Sequence, residues 1–180
     1  MLLQHKLDLS IKSKNGIAFL LSGIIVWLII TAIFLQPIEI TSKNMFMLFS
    51  TGIMFPVAVV ISKLIKAEWR SSNNPLSNLG LILNVAQFMY FPLIFWVFAN
   101  SPNQMIVFFA VITGAHFFPY GWFYHTKAYY IMAPIISISV MIIGWTLAPR
   151  HLWFISFSMV FFFILLIIWL NVDFKKKIAQ

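Results

Sequence analysis

Residues 16–35 read GIAFLLSGIIVWLIITAIFL, twenty positions without a charged side chain. A helix needs about 20 residues to cross the roughly 30 Å hydrocarbon core of a bilayer, so this stretch is long enough and apolar enough to span a membrane. Five further stretches share its character. We predict six membrane-spanning helices, numbered spans 1 to 6, over residues 16–35, 45–65, 76–99, 105–124, 128–148 and 152–174.

The composition of the whole chain agrees with this interpretation. Of 180 residues, 62% are apolar and 9% are charged, whereas soluble proteins have about 25% charged residues. A soluble globular domain is therefore excluded, and so is a membrane β-barrel, whose strands alternate in polarity over about 10 residues. Because the connections are short, neighbouring helices must be antiparallel. We predict an all-α fold in which residues 1–180 form one membrane domain, a compact up-and-down bundle of six helices.

The basic residues predict how this bundle is oriented. The chain has a formal net charge of +8, and cytoplasmic segments of membrane proteins carry an excess of Lys and Arg. With the polar segment 1–15 inside, only Lys43 and Arg150 fall on the outer side. Ten basic residues fall inside: Lys6, Lys12, Lys14, Lys63, Lys66, Arg70, Lys127, Lys175, Lys176 and Lys177. We therefore predict that both termini are cytoplasmic and that the partner of these charges is the lipid bilayer, not nucleic acid.

Several kinds of chemistry lack the residues that they need. The chain has no cysteine, which excludes thiol catalysis and cysteine-based metal sites. The four acidic residues, Asp8, Glu39, Glu68 and Asp173, lie outside the spans or at the inner end of span 6. Coupling ions and hydrolytic metals usually require an embedded carboxylate. We expect no enzyme, no cofactor and no metal site, and the oligomeric state stays open.

Three polar side chains fall at the level of the bilayer. His116 lies near the middle of span 4 in ITGAHFFPYGW, residues 112–122, and Asn84 and Gln87 share one face of span 3 because they are three residues apart. Since polar groups are costly in hydrocarbon, all three should face the bundle interior. Two interpretations of His116 stay open: a proton-accepting or ligand-orienting group, or a neutral imidazole that bonds a neighbouring helix.

Prolines predict where such polar groups gather. Pro56, Pro92, Pro119 and Pro134 fall within spans 2 to 5, and each lacks the N–H that a helix interior uses. The carbonyl groups freed at such kinks need partners from neighbouring helices or water. We place a polar pocket among the kinked helices, and its predicted lining residues are His116, Gln87, Asn84, Thr113, Thr51 and Tyr120.

Five short segments carry a resemblance: SGIIVW at 22–27, FP at 55–56, NPLSNLG at 74–80, QFMYFPLIFW at 87–96 and GAHFFPYGW at 114–122. Together they resemble a family of small six-span membrane proteins of unknown function from Bacillus-like bacteria. The resemblance implies location in the bacterial cytoplasmic membrane. It implies no catalytic residue and no substrate.

These observations lead to one favoured function and two alternatives. The favoured hypothesis is the binding or transport of a small molecule through the polar pocket. The first alternative is a structural or regulatory membrane protein, whose embedded polar residues only join helices or bind a partner. An embedded enzyme that uses His116 as acid or base is the weakest hypothesis, because no carboxylate or cysteine accompanies the imidazole.

Overall fold

In the computed structural model, residues 1–71 and 73–179 are described, and the regular elements in these ranges are all helical. This confirms the predicted all-α class. The α-helices are α1 (Leu2–Lys12), α2 (Ile17–Leu35), α3 (Ile40–Thr51), α4 (Met54–Leu64), α5 (Ser77–Ala86), α6 (Phe91–Asn100), α7 (Met105–His116), α8 (Phe118–Phe123), α9 (Lys127–Thr146) and α10 (Trp153–Ile178). Short 3₁₀ turns cover Lys14–Gly16, Gln87–Tyr90, Pro102–Gln104 and Pro149–His151.

The apolar stretches fold as helices of membrane-spanning length. Within the described ranges, five helical stretches are long and apolar enough to cross a bilayer, and the pair α3 and α4 makes a sixth if it counts as one broken span. The five are Lys14–Leu35, Ser77–Asn100, Pro102–Phe123, Lys127–Thr146 and Pro149–Ile178. In chain order they overlap predicted spans 1, 3, 4, 5 and 6, and the broken pair overlaps predicted span 2. Each helical stretch carries the number of the span that it overlaps.

Three of the four span prolines lie where a new helical segment begins. Span 2 bends by 41° between α3 and α4, and Pro56 lies in the first turn of α4. Pro92 follows the 3₁₀ turn of span 3, and Pro119 follows the break between α7 and α8. The first turn tolerates proline because its N–H groups have no partner within the helix. By contrast, α9 continues as one helix through Pro134.

The core of the bundle forms around α2, which packs against α3, α4 and α10, while α7 packs against α9. These helices bury apolar side chains from spans 1, 2, 4, 5 and 6 against one another. Among the fully or almost fully buried residues are Trp27, Ile30, Ala110, Ile136, Phe163 and Leu166. Apolar burial and close packing of long side chains therefore hold spans 1, 4, 5 and 6 together.

Span 3 lies at the edge of this bundle. Only 11% of its most apolar window is buried inside the protein, compared with 33–56% for spans 1, 4, 5 and 6. Its second half, α6, packs against α7. Large side chains along the whole span remain exposed, among them Ile82, Met89 and Trp96. The bundle is thus less evenly packed than an ideal up-and-down arrangement.

The two ends of the chain meet at one end of the bundle. The polar segment 1–15, for which no helix was predicted, forms helix α1 and ends in a left-handed turn. Lys177 near the end of α10 donates a 2.8 Å hydrogen bond to Ser10 Oγ of α1. Asn74, in the loop between α4 and α5, donates a 2.9 Å hydrogen bond to the carbonyl of His5. We call this the α1 end of the bundle.

Candidate functional site

Three of the predicted pocket residues bond within their own helices. The side chains of Asn84, Thr51 and Thr113 donate to carbonyl oxygens three or four residues earlier, at 2.9, 2.6 and 2.8 Å respectively. Such bonds satisfy a polar group without a neighbouring helix. Their presence in a span therefore does not by itself indicate a polar pocket.

His116 and Tyr120 lie together on either side of the break between α7 and α8. Their ring centroids are 5.1 Å apart and the rings meet edge to face, while Phe117 is the next ring neighbour of the imidazole. Within the described residues, His116 makes these ring contacts and no hydrogen bond, and the buried Tyr120 hydroxyl has no partner. Gln87 belongs to the 3₁₀ turn of span 3, which packs against α7.

A buried polar cluster, which the sequence analysis missed, lies at the α1 end. Asn15 is fully buried, and its amide nitrogen donates to the Leu170 carbonyl at 3.1 Å and to Asp173 Oδ2 at 3.0 Å. Its amide oxygen accepts hydrogen bonds from Ser10 Oγ and from Lys177 Nζ. Asn15 thus joins α1 to span 6 through both ends of its amide.

Lys177 completes this Asn15 cluster. Its ammonium group forms a 2.6 Å ion pair with Asp173 and donates a 2.9 Å hydrogen bond to the Tyr124 carbonyl. The four-residue spacing of Asp173 and Lys177 was the one sequence signal for this arrangement. Because the side-chain atoms of Asn15 and Lys177 are bonded to other protein groups, this cluster joins α1, the first turn of span 1 and span 6.

The candidate binding site is a crevice between spans 1, 2 and 3 at the α1 end. Its wall is apolar and includes Phe19 of α2, Phe55 of α4 and Leu81 of α5. The crevice has a volume of about 50 Å³. The remaining lining residues are Leu9, Ser13, Glu68, Trp69, Arg70, Ser71, Ser77, Gly80, Asn84, Phe123 and Tyr124. Asn84 is the one predicted pocket residue among those that line it.

The crevice opens into a polar surface groove of about 800 Å³. Trp69, Arg70, Ser71 and Ser77 line both, so the apolar wall is continuous with a polar rim. The rest of the groove is lined by Asn73, Asn74, Pro75 and Asn78. These residues come from the loop between α4 and α5 and from the first turn of α5.

Backbone and ring contacts hold this rim in place. The Glu68 N–H donates a 2.8 Å hydrogen bond to the carbonyl of Lys12 at the end of α1. The Ser71 N–H donates to Ser77 Oγ at 3.1 Å, and Trp69 packs edge to face on Phe55 with centroids 5.5 Å apart. The loop is thus attached to α1, α4 and α5, and its charged side chains project from a fixed backbone.

Comparison with protein families matches residues 2–173 to a family described as "Family of unknown function (DUF7010)". The chain belongs to this family. No curated protein and no solved structure matches the chain. Membership of DUF7010 confirms the part of the resemblance that pointed to a family of unknown function. The six-span architecture and the origin in Bacillus-like bacteria stay predictions.

Proposed function

We propose that this member of DUF7010 is an integral membrane protein with six spans and cytoplasmic termini that binds a small amphiphilic molecule in the crevice. The apolar helices and the broken pair α3 and α4 support the membrane assignment. The contact between α1 and α10 places both chain ends together, as an even number of spans requires. Ten of the twelve basic residues belong to segments at the α1 end, which supports its cytoplasmic location.

The observation that carries the binding proposal is the two-part lining of the crevice. Phe19, Phe55 and Leu81 form an apolar wall, and Glu68 and Arg70 belong to a polar rim at one end. A molecule with a polar head and an apolar tail matches both parts at once. Such a division is typical of sites that use apolar surface for affinity and a few polar groups for orientation.

The size of the crevice favours an amphiphile over a fully enclosed ligand. Its volume of about 50 Å³ is far below the roughly 300–1,000 Å³ of sites that bury a drug-sized molecule. An acyl chain needs no such enclosure, because the rest of its length can lie along the exposed apolar face of span 3. The peripheral position of span 3 thus fits the same proposal.

The structural or regulatory alternative rests on a different observation. Hydroxyl groups join neighbouring spans by hydrogen bonds, from Thr31 to Ser156 at 3.0 Å and from Ser137 to the Val111 carbonyl at 3.1 Å. Together with the Asn15 cluster, these bonds give many embedded polar groups a purely structural role. On this alternative the crevice would hold no specific molecule.

A variant in which the crevice is filled distinguishes the binding proposal from the structural alternative. Leu81→Trp introduces a large ring into the apolar wall, whereas Ile82→Trp places the same ring on the exposed neighbouring position, which does not line the crevice. The purified protein is incubated with equal parts of phosphatidylethanolamine and phosphatidylglycerol, and retained lipid is counted by native mass spectrometry. We expect a several-fold loss of retained lipid for Leu81→Trp alone. Equal retention by the two variants would contradict the binding proposal and support the structural alternative.

The membrane topology has its own test. A reporter domain whose activity depends on whether it lies in the cytoplasm or outside the cell is fused to each end of the chain in turn. Both fusions should report the cytoplasm. Reporters on opposite faces would contradict six spans, and two external reporters would contradict the orientation inferred from the basic residues.

A further inference from the structure

We propose that the head of the bound amphiphile carries both a phosphate and an ammonium group, phosphatidylethanolamine being the simplest such lipid. This inference rests on the proposed function, since it names the chemistry of the molecule in the same crevice. Its basis is a pair of opposite charges at the rim. Glu68 and Arg70 are two residues apart on one loop, both line the crevice, and both are exposed.

Neither charge forms an ion pair within the described chain, although Lys12 lies close enough for its charge to interact with that of Glu68. Ion pairs in the described ranges join Lys12 to Asp8 and Lys177 to Asp173, and neither involves Glu68 or Arg70. The Arg70 guanidinium makes one long contact, 3.4 Å to Asn78 Oδ1. Since a guanidinium has five N–H donors in a planar fork, most of them stay available for a phosphate.

A zwitterionic head fits this pair better than an anionic head does. A phosphate near Arg70 gains charge-assisted hydrogen bonds, but a head without a cation would place a negative charge beside the exposed Glu68 carboxylate and be repelled by it. Lys12, the described cation whose charge interacts with that of Glu68, already pairs with Asp8 at 2.8 Å. An ammonium group a few bonds from the phosphate would complete the arrangement with no net charge.

The backbone on either side of the two charged residues is bonded to neighbouring helices, at Glu68 to α1 and at Ser71 to α5. The Glu68 backbone is bonded to the end of α1, and Trp69, between the two charged residues, is packed on Phe55. Because the backbone is fixed before binding, less conformational entropy is lost when the head is captured. The other basic residues of the α1 end would attract anionic lipids in general, without selecting one at this position.

The test measures which of two lipids the crevice retains. Native mass spectrometry follows competition between phosphatidylethanolamine and phosphatidylglycerol with identical acyl chains. We expect the unaltered protein to prefer phosphatidylethanolamine by about two- to five-fold, the range that an exposed ion pair supports. Glu68→Gln should bring this preference close to parity while total retained lipid changes little. Arg70→Gln should lower retention of both lipids.

The matched controls alter charged residues that do not line the crevice. Lys66→Gln is the control for Arg70→Gln at the same end of the bundle, and Glu39→Gln is the control for Glu68→Gln at the other end. Both controls should keep the preference. The midpoint of thermal unfolding should not change in any of these variants, because all four side chains are exposed.

The outcomes separate this inference from the proposed function. Suppose that Leu81→Trp lowers lipid retention, but the unaltered protein shows no preference for phosphatidylethanolamine or Glu68→Gln keeps that preference. The proposed zwitterionic head is then wrong, and binding in the crevice is still supported. If Leu81→Trp has no effect on retention, the proposed function itself fails, and this inference fails with it.

Discussion

The hydroxyl group of Tyr129 donates a 2.8 Å hydrogen bond to the carbonyl oxygen of Asn15, 114 residues earlier in the chain. Asn15 lies in a left-handed turn with positive φ angles at Lys14, Asn15 and Gly16. Such a turn leaves its carbonyl groups outside the regular helical pattern, so a buried one needs another partner. The tyrosine supplies it and thereby attaches span 5 to the junction between α1 and span 1.

Removal of this hydroxyl should destabilise the protein. Tyr129→Phe leaves the ring in place and the buried Asn15 carbonyl without its donor, which costs about 1–3 kcal/mol of unfolding free energy. Reversible unfolding in detergent, followed by circular dichroism, measures the loss. Tyr120→Phe is the matched control, because the Tyr120 hydroxyl has no partner among the described residues. Its unfolding free energy should stay the same or rise, and equal losses in both variants would contradict the assignment.

Loss of the Asn15 side chain should lower the unfolding free energy more than loss of the Tyr129 hydroxyl does. Asn15→Ala removes the groups that bond Leu170, Asp173 and Lys177, and it places a residue less tolerant of the left-handed conformation at φ 56°. We expect a loss of about 2–4 kcal/mol, because several buried partners lose their bonds together. Asn100→Ala removes one exposed bond within its own helix, and it should change stability by about 0.5 kcal/mol or less. Similar effects of the two changes would count against a structural cluster.

Both the backbone conformation at position 16 and the close approach of a neighbouring ring require a glycine there. Its φ is +77°, and an added Cβ would lie 2.9 Å from Cε2 and the hydroxyl oxygen of Tyr124. Gly16→Ala should therefore lower the unfolding free energy by about 1–3 kcal/mol. Gly52→Ala is the control, since Gly52 has an ordinary helical φ of −62°, is exposed, and would bring an added Cβ no closer than 3.3 Å, to the Phe49 carbonyl oxygen. The variants are compared by thermal unfolding in one detergent, and a tolerated Gly16→Ala would refute the close packing against Tyr124.

The docking of α1 should depend on pH through Asp8. A hydrogen-bonded ion pair with Lys12 and a 2.8 Å hydrogen bond from Asn74 hold the pKa of Asp8 below its usual 3.8. A lowered pKa means that the carboxylate stabilises the folded state above the pKa of the unfolded chain, about 3.9. This stabilisation disappears as the pH falls through the lower, folded-state value.

Comparison with Asp8→Asn isolates this effect. The asparagine cannot ionise, so the difference in stability between the two proteins reports the ionisation of Asp8. The unaltered protein should have the higher unfolding midpoint at pH 6, and the difference should shrink as the pH approaches 3. A difference that stays constant over this range would show that the charge of Asp8 does not hold α1.

The helices were predictable because their signal is local. A run such as residues 16–35 is recognised from the apolar character of its own residues, whatever the rest of the chain does. The same holds for the breaks at Pro56, Pro92 and Pro119, which follow from the missing N–H group of each proline. Helix α9 continues through Pro134, and since a proline can bend a helix without ending it, the kink predicted there stays a prediction.

The site was predictable only in part. Asn84, Thr51 and Thr113 all bond back to their own helices, yet of the three Asn84 lines the crevice, and no sequence pattern distinguishes it from the two threonines. Helix α1 was missed because its burial depends on distant partners. Lys6 is buried with its ammonium group 3.4 Å from the centroid of the Trp122 ring, more than a hundred residues away.

The sequence by itself determined that this chain forms long apolar helices, because the free energy of transfer into an apolar medium adds up residue by residue. Tertiary structure alone decided that Tyr129 meets Asn15, that span 3 lies at the edge and that Glu68 and Arg70 share a rim. Hydrogen bonds and charge pairs require particular atoms within about 3 Å of each other. That condition depends on how the spans pack, which composition and periodicity do not specify.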